Sequence, residues 1–349
     1  MQNQVLLYGA NGYTGTLIAR MAKEYGVSLI LAARREETIK PMAEELGFPY
    51  RVIELNDAVA LDQALSEVDL VLHAAGPFKY TAKPMIEACL RTGKHYLDIT
   101  GEIMVYEMAK KYHDQALAKG IMVMPGVGFD VVPTDCIALH LKNKMPDAVS
   151  LKLAFAGLGG AYSRGTATTM AEGMGEKSAR RIDGKITPVP LGEHGMWLEL
   201  GGKKIFFMSI PWGDVSTAYH TTGIPNIETY TGASIKTFKA LKYQSLFNWL
   251  LRTSFMRNRQ LKKIKNMPPG PSDERREKSK SVVWGEVING DGVTMQAKIR
   301  TPEGYTLTAI SSLIIAKKVL NGNVKPGYHT PAGCYGEGLV FEVPGVEFI

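Results

Sequence analysis

Short apolar runs alternate with helical patterns through the first third of the chain. Runs without polar residues on either face are typical of buried parallel strands. Strands that alternate with helices of about ten residues imply right-handed crossovers. The pattern therefore predicts an α/β domain over residues 1–124, with a doubly wound parallel sheet. The predicted strands are Val5–Tyr8, Ser28–Ala32, Tyr50–Ile53, Leu70–His73, His95–Asp98 and Ile121–Met124.

The pattern changes after Met124, where Pro125–Asp135 predicts a crossover into a helix over Thr134–Lys144. Alternating segments then predict a second α+β domain over residues 125–304, built on a mixed, mainly antiparallel sheet with helices on one face. An amphipathic helix at Leu307–Leu320 is expected to return to the first domain, so that residues 305–349 complete it. The second domain's predicted elements are one helix, Thr166–Ala179, and strands Leu151–Phe155, Lys204–Ile210, Val215–His220, Ile227–Tyr230, Val282–Ile288 and Thr294–Arg300.

Composition narrows the class of protein. The 349 residues are 45% hydrophobic and 21% charged, as in ordinary soluble domains. No apolar run approaches the roughly 20 residues of a membrane span, and the start lacks a signal-peptide pattern, so we expect a cytoplasmic protein. Cys89, Cys136 and Cys334 lie far apart, and the histidines lack ligand spacing, so we expect no metal site. No Ser or Cys has the adjacent His and acid of a covalent hydrolase.

A glycine turn joins the first strand to the first helix. Gly9 allows a sharp exit from the strand, Gly12 allows the backbone to approach phosphates, and Gly15 allows close packing of helix on sheet. The N–H groups and positive dipole end of the helix then face an anion. This context predicts a dinucleotide site. Its predicted pyrophosphate contacts are Gly9, Ala10, Asn11, Gly12, Tyr13, Thr14 and Gly15.

The end of the second strand indicates which dinucleotide binds. Ala33 is followed by Arg34 and Arg35, where NAD-binding domains usually place an acid for the ribose hydroxyls. Arginine suits a 2′-phosphate, so the sequence favours NADP(H) over NAD. The alternative is that both arginines only cap a solvent loop.

Small residues and carboxylates follow the next two predicted strands. Ligands of such sheets lie at the carboxyl ends of strands, so we expect the turn after strand four to contact the cofactor and Phe78 or Tyr80 to wall the nicotinamide. A tight connection explains the same turn. After strand five, Glu102 is either a cofactor-site residue or a helix cap. The predicted cofactor residues of these turns are Ala74, Ala75, Gly76, Pro77, Phe78, Gly101 and Glu102.

The second domain offers candidates for handling a substrate. Ser163-Arg164 opens a predicted helix, and Arg164 is the first choice to clamp a carboxylate or phosphate. The alternative for Arg164 is an ion pair with a neighbouring acid. Asp214 lies in a predicted break between strands, where it either faces a ligand or caps the turn. Asp130 and Asp135 flank the expected junction of the domains and are predicted to lie in the cleft, without acting as acid catalysts.

The positive charge is concentrated in one segment. The formal net charge is +7, yet Lys236–Asn266 contains nine Lys or Arg and no Asp or Glu, so the rest of the chain is near neutral. Leucines and aromatic residues accompany these cations. The segment suits an anionic membrane surface or an acyl-chain carrier, and the alternative is a helix with a solvated charged face. No recognised nucleic-acid-binding motif accompanies the charge, so we expect no nucleic-acid partner.

Motifs spread along the chain match one protein family. They are GANGYTG at 9–15, AGPF at 75–78, HYLDITGE at 95–102, PGVGFDVVPTD at 125–135, SRGTA at 163–167, PWGDVSTA at 211–218, GIPNIE at 223–228 and PGPSDERR at 269–276. With them the chain resembles bacterial members of the saccharopine dehydrogenase-like oxidoreductases.

The resemblance implies an NADP-binding Rossmann domain completed by the C-terminal segment, and a central domain that binds substrate and forms a homodimer. Relatives make or cleave saccharopine by hydride transfer at an imine, and others resemble trans-acting enoyl reductases of lipid synthesis. Many relatives have Tyr-Gly after the Gly-Pro-aromatic turn, where this chain has Thr81-Ala82. Tyr80 is a candidate for the role of that tyrosine. Together with Arg164 and Asp214 of the second domain, it completes the set of predicted catalytic residues.

Two functions follow from this sequence. The first is an NADP-dependent oxidoreductase that reduces a C=N or C=C bond in a small or lipid-like substrate. The alternative is a non-catalytic, NADPH-binding scaffold that associates peripherally with membrane through residues 236–266.

Overall fold

The computed structural model describes residues 3–200 and 202–349, which form two compact units. Each unit consists of two segments of the chain. The first unit comprises the residues up to Val132 together with Tyr305–Cys334, and the second comprises Pro133–Gly304 and Tyr335–Ile349. The boundary thus lies beyond the predicted residue 124, because the loop after the sixth strand bonds back to the first unit: Val127 N–H donates to the Asp98 carbonyl (2.8 Å). Residues 335–349, expected in the first domain, belong instead to the second.

Six strands and six helices build the N-terminal part of the first unit. The strands are β1 (Gln4–Tyr8), β2 (Ser28–Ala33), β3 (Tyr50–Val52), β4 (Leu70–His73), β5 (His95–Asp98) and β6 (Met122–Met124). The helices are α1 (Tyr13–Met21), α2 (Glu36–Leu46), α3 (Ala58–Ser66), α4 (Phe78–Thr92), α5 (Ile103–Lys110) and α6 (His113–Ala118).

The second unit is richer in strands. Its strands before residue 303 are β7 (Ala148–Leu158), β8 (Ser178–Ile182), β9 (Lys185–Val189), β10 (Gly195–Leu200), β11 (Lys203–Ile210), β12 (Asn226–Gly232), β13 (Lys280–Asn289) and β14 (Thr294–Pro302). Its helices are α7 (Val132–Lys144), α8 (Arg164–Glu172), α9 (Asp214–Thr222), α10 (Ile235–Lys242), α11 (Asn248–Leu251), α12 (Ser254–Lys265) and α13 (Asp273–Lys278), with a 3₁₀ helix at Gln244–Phe247.

The C-terminal residues contribute to both units. Helix α14 (Gly304–Leu320) and strand β15 (Gly327–Tyr328) return to the first unit, and α15 (Pro331–Tyr335) follows. A 3₁₀ helix (Glu337–Glu342) and strand β16 (Glu347–Phe348) end the chain, and β16 pairs with β14 of the second unit.

The sheet of the first unit is parallel, with the strand order β15-β6-β5-β4-β1-β2-β3. Val5, Leu6 and Leu7 are fully buried, as expected of a strand covered on both faces. The core lies between the sheet and its helices, around Tyr8 and Tyr96. The winding direction reverses between β1 and β4, which is where sheets of this type bind ligands. The prediction of a doubly wound Rossmann sheet is confirmed.

The second sheet is mixed, as predicted. Its order is β10-β11-β12-β7-β13-β14-β16, with the β8–β9 hairpin attached to β12. The pair β7–β12 is parallel and the neighbouring pairs in this order are antiparallel. The α+β prediction for this unit is therefore confirmed at the level of fold class.

Two predictions within the second unit were wrong. Val215–His220, predicted as a strand, is part of helix α9, which ends at Gly223 in the left-handed conformation (φ +70°). The residues from Asp214 to Ala218 are all buried, so helical periodicity is absent from this stretch. The predicted helix Thr166–Ala179 stops at Glu172, and the β8–β9 hairpin follows.

The packing of β13 on α7 leads to a stability prediction. A Cβ added at Gly285 would lie 2.5 Å from Ile137 Cγ2 and 2.9 Å from Leu141 Cδ1. We expect Gly285→Ala to lower the free energy of unfolding by about 1–3 kcal/mol, measured by urea denaturation, because overpacking strains a dense core. Gly157→Ala on β7 is the matched control, since its Cβ would have no atom within 4 Å. Equal stability of the two variants would contradict this account.

Candidate functional site

The glycine turn after β1 leaves no room for side chains at two of its three glycines. Gly9 has φ +85°, and a Cβ there would lie 2.7 Å from the Cβ of Ala75. A Cβ at Gly15 would lie 2.8 Å from the Cα of Ala10. Gly12 is exposed, and its added Cβ would contact only the Gly9 carbonyl oxygen, at 3.2 Å. Gly9 and Gly15 therefore fix the backbone, while Gly12 leaves an open surface that a phosphate can approach.

The start of α1 suits an anion. Gly12 is its N-cap and makes no side-chain capping hydrogen bond, and the first turn contains no acidic residue. Tyr13 and Thr14 are half-buried at this end of the helix, whereas Asn11 is exposed beside it. Helix N-termini carry partial positive charge and bind phosphate groups. The residues present thus fit the pyrophosphate of a dinucleotide.

A hydrogen-bonded chain joins this turn to the end of β2. The Asn11 amide donates to the Thr38 hydroxyl (3.1 Å), which donates to the Arg35 carbonyl (2.9 Å). Arg35 is the N-cap of α2, and both Arg34 and Arg35 are exposed, whereas Ala33 is buried. Thr38 was missed by sequence reasoning because it lies within a helix rather than after a strand.

The turn after β4 depends on a buried histidine that the sequence did not single out. The Thr81 hydroxyl donates to the Ala75 carbonyl (2.7 Å), so it accepts its second bond from Nε2–H of His73 (2.9 Å). His73 is fully buried, and burial lowers its pKa to about 3. Within the described part of the chain its Nδ1 atom has no hydrogen-bond partner. His73 is therefore neutral and, through Thr81, holds the turn 74–78.

Glu102 caps a helix, but not its own. Its carboxylate accepts the backbone N–H groups of Phe78 (2.8 Å) and Lys79 (2.9 Å), the first residues of α4. The capping alternative for Glu102 is thus met at α4, and its place in the cofactor site stays a prediction. Burial raises its pKa, and the two backbone N–H groups partly offset that shift. The capping contact explains why α4 begins at Phe78.

Asp98 ties the ends of β5 and β6 together. It is fully buried and accepts hydrogen bonds from Thr100 N (2.9 Å), Gly126 N (3.0 Å) and the Tyr96 hydroxyl (2.7 Å). Burial raises the pKa of Asp98 to about 6, although these three hydrogen bonds oppose the shift. The Asp98 carboxylate thus fixes the backbone that follows β5 and β6 by accepting its N–H groups.

A second carboxyl lies against Gly101. An added Cβ at Gly101 would lie 2.6 Å from Oδ2 of Asp130, so glycine is needed for this approach. Burial, and then the charge of Glu102, raise the pKa of Asp130 to about 7. The Asp130 carboxyl therefore lies directly beside the turn that follows β5. Asp135 lies in the second unit and accepts a bond from Thr221 (2.6 Å).

The two aromatic residues after Pro77 have different surroundings. Phe78 is buried and packs edge-on against His73, with ring centroids 5.3 Å apart. Tyr80 is 60% exposed, and the Lys79 ammonium lies 4.7 Å from its ring centroid. Of the two residues predicted to wall the nicotinamide, Tyr80 is therefore the accessible one. Gly76 is exposed, and Ala74, Ala75 and Pro77 are half-buried.

In the second unit, Arg164 is the exposed first residue of α8. Ser163 caps this helix by accepting the Thr166 N–H (3.2 Å), and Arg164 N–H donates to the Pro269 carbonyl (2.9 Å). Among the described residues, the Arg164 guanidinium has no ion-pair partner. The alternative of an ion pair with a neighbouring acid is therefore not observed.

Asp214 does not lie in a break between strands. It is the first residue of α9, fully buried, and the Thr134 hydroxyl donates to its Oδ1 at 2.6 Å. The prediction of its local structure was wrong because α9 had been read as a strand.

One group of possible metal ligands was not foreseen. Side-chain ligand atoms of Glu193, His194 and Glu228 lie within 4.8 Å of one another. His194 Nδ1 lies 2.7 Å from Glu228 Oε1, the Tyr230 hydroxyl donates to Glu228 Oε2 (2.7 Å), and Arg180 lies 3.6 Å from Glu193. These groups bond to one another, and a cation would compete with Arg180.

Comparison with known families identifies the first unit. Residues 5–124 match the family described as the saccharopine dehydrogenase NADP binding domain. For residues 5–124 this match confirms the resemblance predicted from the motifs, and with it the prediction of NADP(H) as cofactor.

Curated relatives share part of the chain. The saccharopine dehydrogenase-like oxidoreductase of Rattus norvegicus is 27% identical over 216 residues, which cover 54% of this chain and 50% of that protein. The trans-acting enoyl reductase of Mycobacterium leprae is 32% identical over 40% of this chain and 36% of that protein. The aligned region thus spans half or less of the length of these relatives.

One solved structure has a similar fold over both units. It is apo saccharopine dehydrogenase (L-Glu forming) from Saccharomyces cerevisiae, with a TM-score of 0.69, 15% identity and coverage of 99% of each chain. At this identity the similarity establishes the fold alone.

The burial of His73 yields a pH prediction. The folded protein keeps this side chain neutral, whereas the unfolded chain takes up a proton below about pH 6.5, so acid favours unfolding. The stability advantage of wild type over His73→Asn should therefore shrink by about 1.4 kcal/mol between pH 7.5 and 5.5. Urea denaturation across this range measures it. Above pH 7.5 the difference should be constant, and a difference independent of pH throughout would refute the assignment.

Proposed function

We propose, since residues 5–124 belong to the saccharopine dehydrogenase NADP binding domain family, that the whole chain is an NADP(H)-dependent oxidoreductase. Its substrate is a small or lipid-like molecule with a C=N or C=C bond. The observation that carries the proposal is the glycine turn before α1, where Gly9 and Gly15 exclude a Cβ and Gly12 is open. NADPH supplies a hydride when bound, and the protein supplies binding, orientation and proton transfer.

The two bond types correspond to two groups of relatives. The curated protein of Mycobacterium leprae is named an enoyl reductase, which acts on a C=C bond. The resemblance to saccharopine dehydrogenases favours C=N. Both reductions add a hydride to one atom and a proton to the other, so the enzyme needs a proton source. The exposed Tyr80 hydroxyl is the predicted candidate in the first unit. Although Asp130 was not predicted to act as an acid, its carboxyl lies against Gly101 at the end of β5, which makes it a second candidate.

We assign the substrate anion to Arg164. Its guanidinium is exposed and has no ion-pair partner in the described residues, so it is available to a carboxylate or phosphate. Asp214 has a different role in this proposal. A fully buried carboxylate that accepts the Thr134 hydroxyl suits a residue that positions α9 rather than one that contacts substrate.

Arg34 is expected to bind the 2′-phosphate that distinguishes NADPH from NADH. Arg34→Ala removes a charge-assisted hydrogen bond, so NADPH affinity should fall roughly 10- to 100-fold while NADH affinity changes little. Fluorescence titration with each cofactor measures both dissociation constants. Lys40→Ala, an exposed cation of α2, is the control and should leave both unchanged. If Arg34→Ala lowered the affinities for NADPH and NADH equally, this residue would not be the one that binds the 2′-phosphate.

The reaction is tested with NADPH deuterated at nicotinamide C4. Wild type is incubated with a panel of cyclic and open-chain imino acids and of enoyl thioesters and lipids, and mass spectrometry detects deuterium in the products. We expect transfer to one class, with Arg164→Ala raising KM for anionic members of that class. Tight NADPH binding without transfer to any panel member would favour the scaffold function instead.

A further inference from the structure

Apolar side chains are unusually exposed between residues 235 and 267. Trp249 and Phe255 are each 72% exposed, and Tyr243 and Phe247 are more than half exposed. Large aromatic residues usually bury most of their surface, and contiguous apolar patches mark interaction sites. The exposed aliphatic neighbours in this stretch are Ile235, Leu250 and Met267.

The same segment is strongly basic. Between Lys236 and Asn266 there are nine Lys or Arg and no Asp or Glu, although the whole chain has a formal net charge of only +7. A partner that covers these helices must therefore tolerate or neutralise many positive charges. Charge and exposed apolar surface occur on the same short part of the chain.

Contacts of the inner faces hold the segment against the second unit. The ring of Phe238 on α10 packs 5.1 Å from that of Phe206 on β11. Arg252 Nε donates to the Gly175 carbonyl at 3.0 Å. Helix α12 packs against α8, and its half-buried residues Met256 and Gln260 lie one turn apart. The outward faces are therefore set by packing.

On α12 the outward face combines both properties. Phe255, Arg259 and Lys262 are all exposed, and their i, i+4, i+7 spacing places them on one side of the helix. Lys263, also exposed, borders this side. A face that presents both an aromatic ring and cations suits contact with the headgroup region of an anionic bilayer.

We propose that residues 235–267 form a docking surface for an anionic lipid bilayer, with aromatic side chains inserted at the headgroup level and cations bound to lipid phosphates or carboxylates. A second copy of the chain is a poor occupant, because a two-fold interface would bring exposed cations such as Arg259, Lys262 and Lys263 close to an identical set. Nucleic acid would use the cations and aromatic rings but would leave Ile235, Leu250 and Met267 without apolar contacts.

The contact is peripheral. Among the described residues, no helix is long and apolar enough to cross a membrane. Binding by an interfacial surface depends on inserted apolar area and on attraction to anionic lipids, and salt weakens the second term. Both contributions can be tested separately in this chain.

The first test uses the full chain and vesicles. Flotation with phosphatidylcholine vesicles and with mixed phosphatidylcholine–phosphatidylserine vesicles should recover protein only with the mixed ones, and added salt should reduce recovery. Trp249 is the most exposed tryptophan, so its emission should shift to the blue on binding, and Trp249→Phe should remove most of that shift. Absence of binding to the mixed vesicles, or equal binding to both kinds, would overturn the proposal.

Charge and insertion are separated by matched variants. Arg259→Gln/Lys262→Gln/Lys263→Gln should weaken binding on the order of a hundredfold. The control, Lys110→Gln/Lys111→Gln/Lys119→Gln, makes the same charge change on exposed residues of the first unit. Equal effects of the two triple variants would mean that only overall charge matters, which contradicts a defined surface.

For insertion, Trp249→Ser/Phe255→Ser should weaken binding at least tenfold, whereas Val59→Ser/Leu117→Ser changes two exposed apolar residues elsewhere and should not. Unchanged thermal unfolding midpoints show that the variants fold. NADPH affinity should be normal in all of them, so failure of this proposal is distinguishable from failure of the proposed function. Self-association through Trp249, or binding to an acidic protein or nucleic acid but not to vesicles, would overturn it.

Discussion

The approach of α1 to the ends of β1 and β4 is the constraint on which the first unit depends. A Cβ at Gly9 or Gly15 would penetrate neighbouring backbone, so neither position accepts a larger residue without moving the helix or a strand. The tight turn between β1 and α1 and the open face at Gly12 follow from that closeness. The space predicted for the cofactor therefore depends on the absence of side chains at these glycines.

Buried polar side chains next to this turn fix the backbone of the loops that follow the strands. His73 and Thr81 hold the turn after β4, Asp98 bonds to the backbone after β6, and Glu102 caps α4. Buried polar groups are costly unless their hydrogen bonds are made. Their side chains therefore restrict the backbone more than an apolar residue of similar size. The loops predicted to face the cofactor consequently have few alternative conformations.

The sequence predicted the first unit better than the second for a physical reason. Parallel strands buried on both faces, such as β1 and β2, are continuous apolar runs, and Gly9, Gly12 and Gly15 mark the turn that follows. Helix α9 has no such pattern, because burial on nearly every side removes the contrast between its faces. The β8–β9 hairpin did have a local signal: Asp183 and Gly184 both have positive φ, as a two-residue turn of this kind requires.

Side-chain contacts across the fold were beyond prediction from one sequence. His73 depends on a partner in the helix that follows it, and Glu102 depends on partners in a helix that precedes it; in both cases this helix is α4. The return of residues 305–334 to the first unit was expected from a helix predicted as amphipathic, but α14 is not amphipathic, since every residue from Leu307 to Leu313 is buried. The departure of β16 to the second sheet depends on the short pairing with Ile299 and Arg300.

The position of β15 has a consequence for synthesis on the ribosome. Until residues 327–328 emerge, β6 is an open edge with buried, apolar residues Met122–Met124, and nearly all of the second unit is translated in the meantime. Open edges of this kind pair readily with other chains. The sheet of the first unit therefore remains incomplete during most of translation. We expect a chain released before residue 327 to be prone to aggregation.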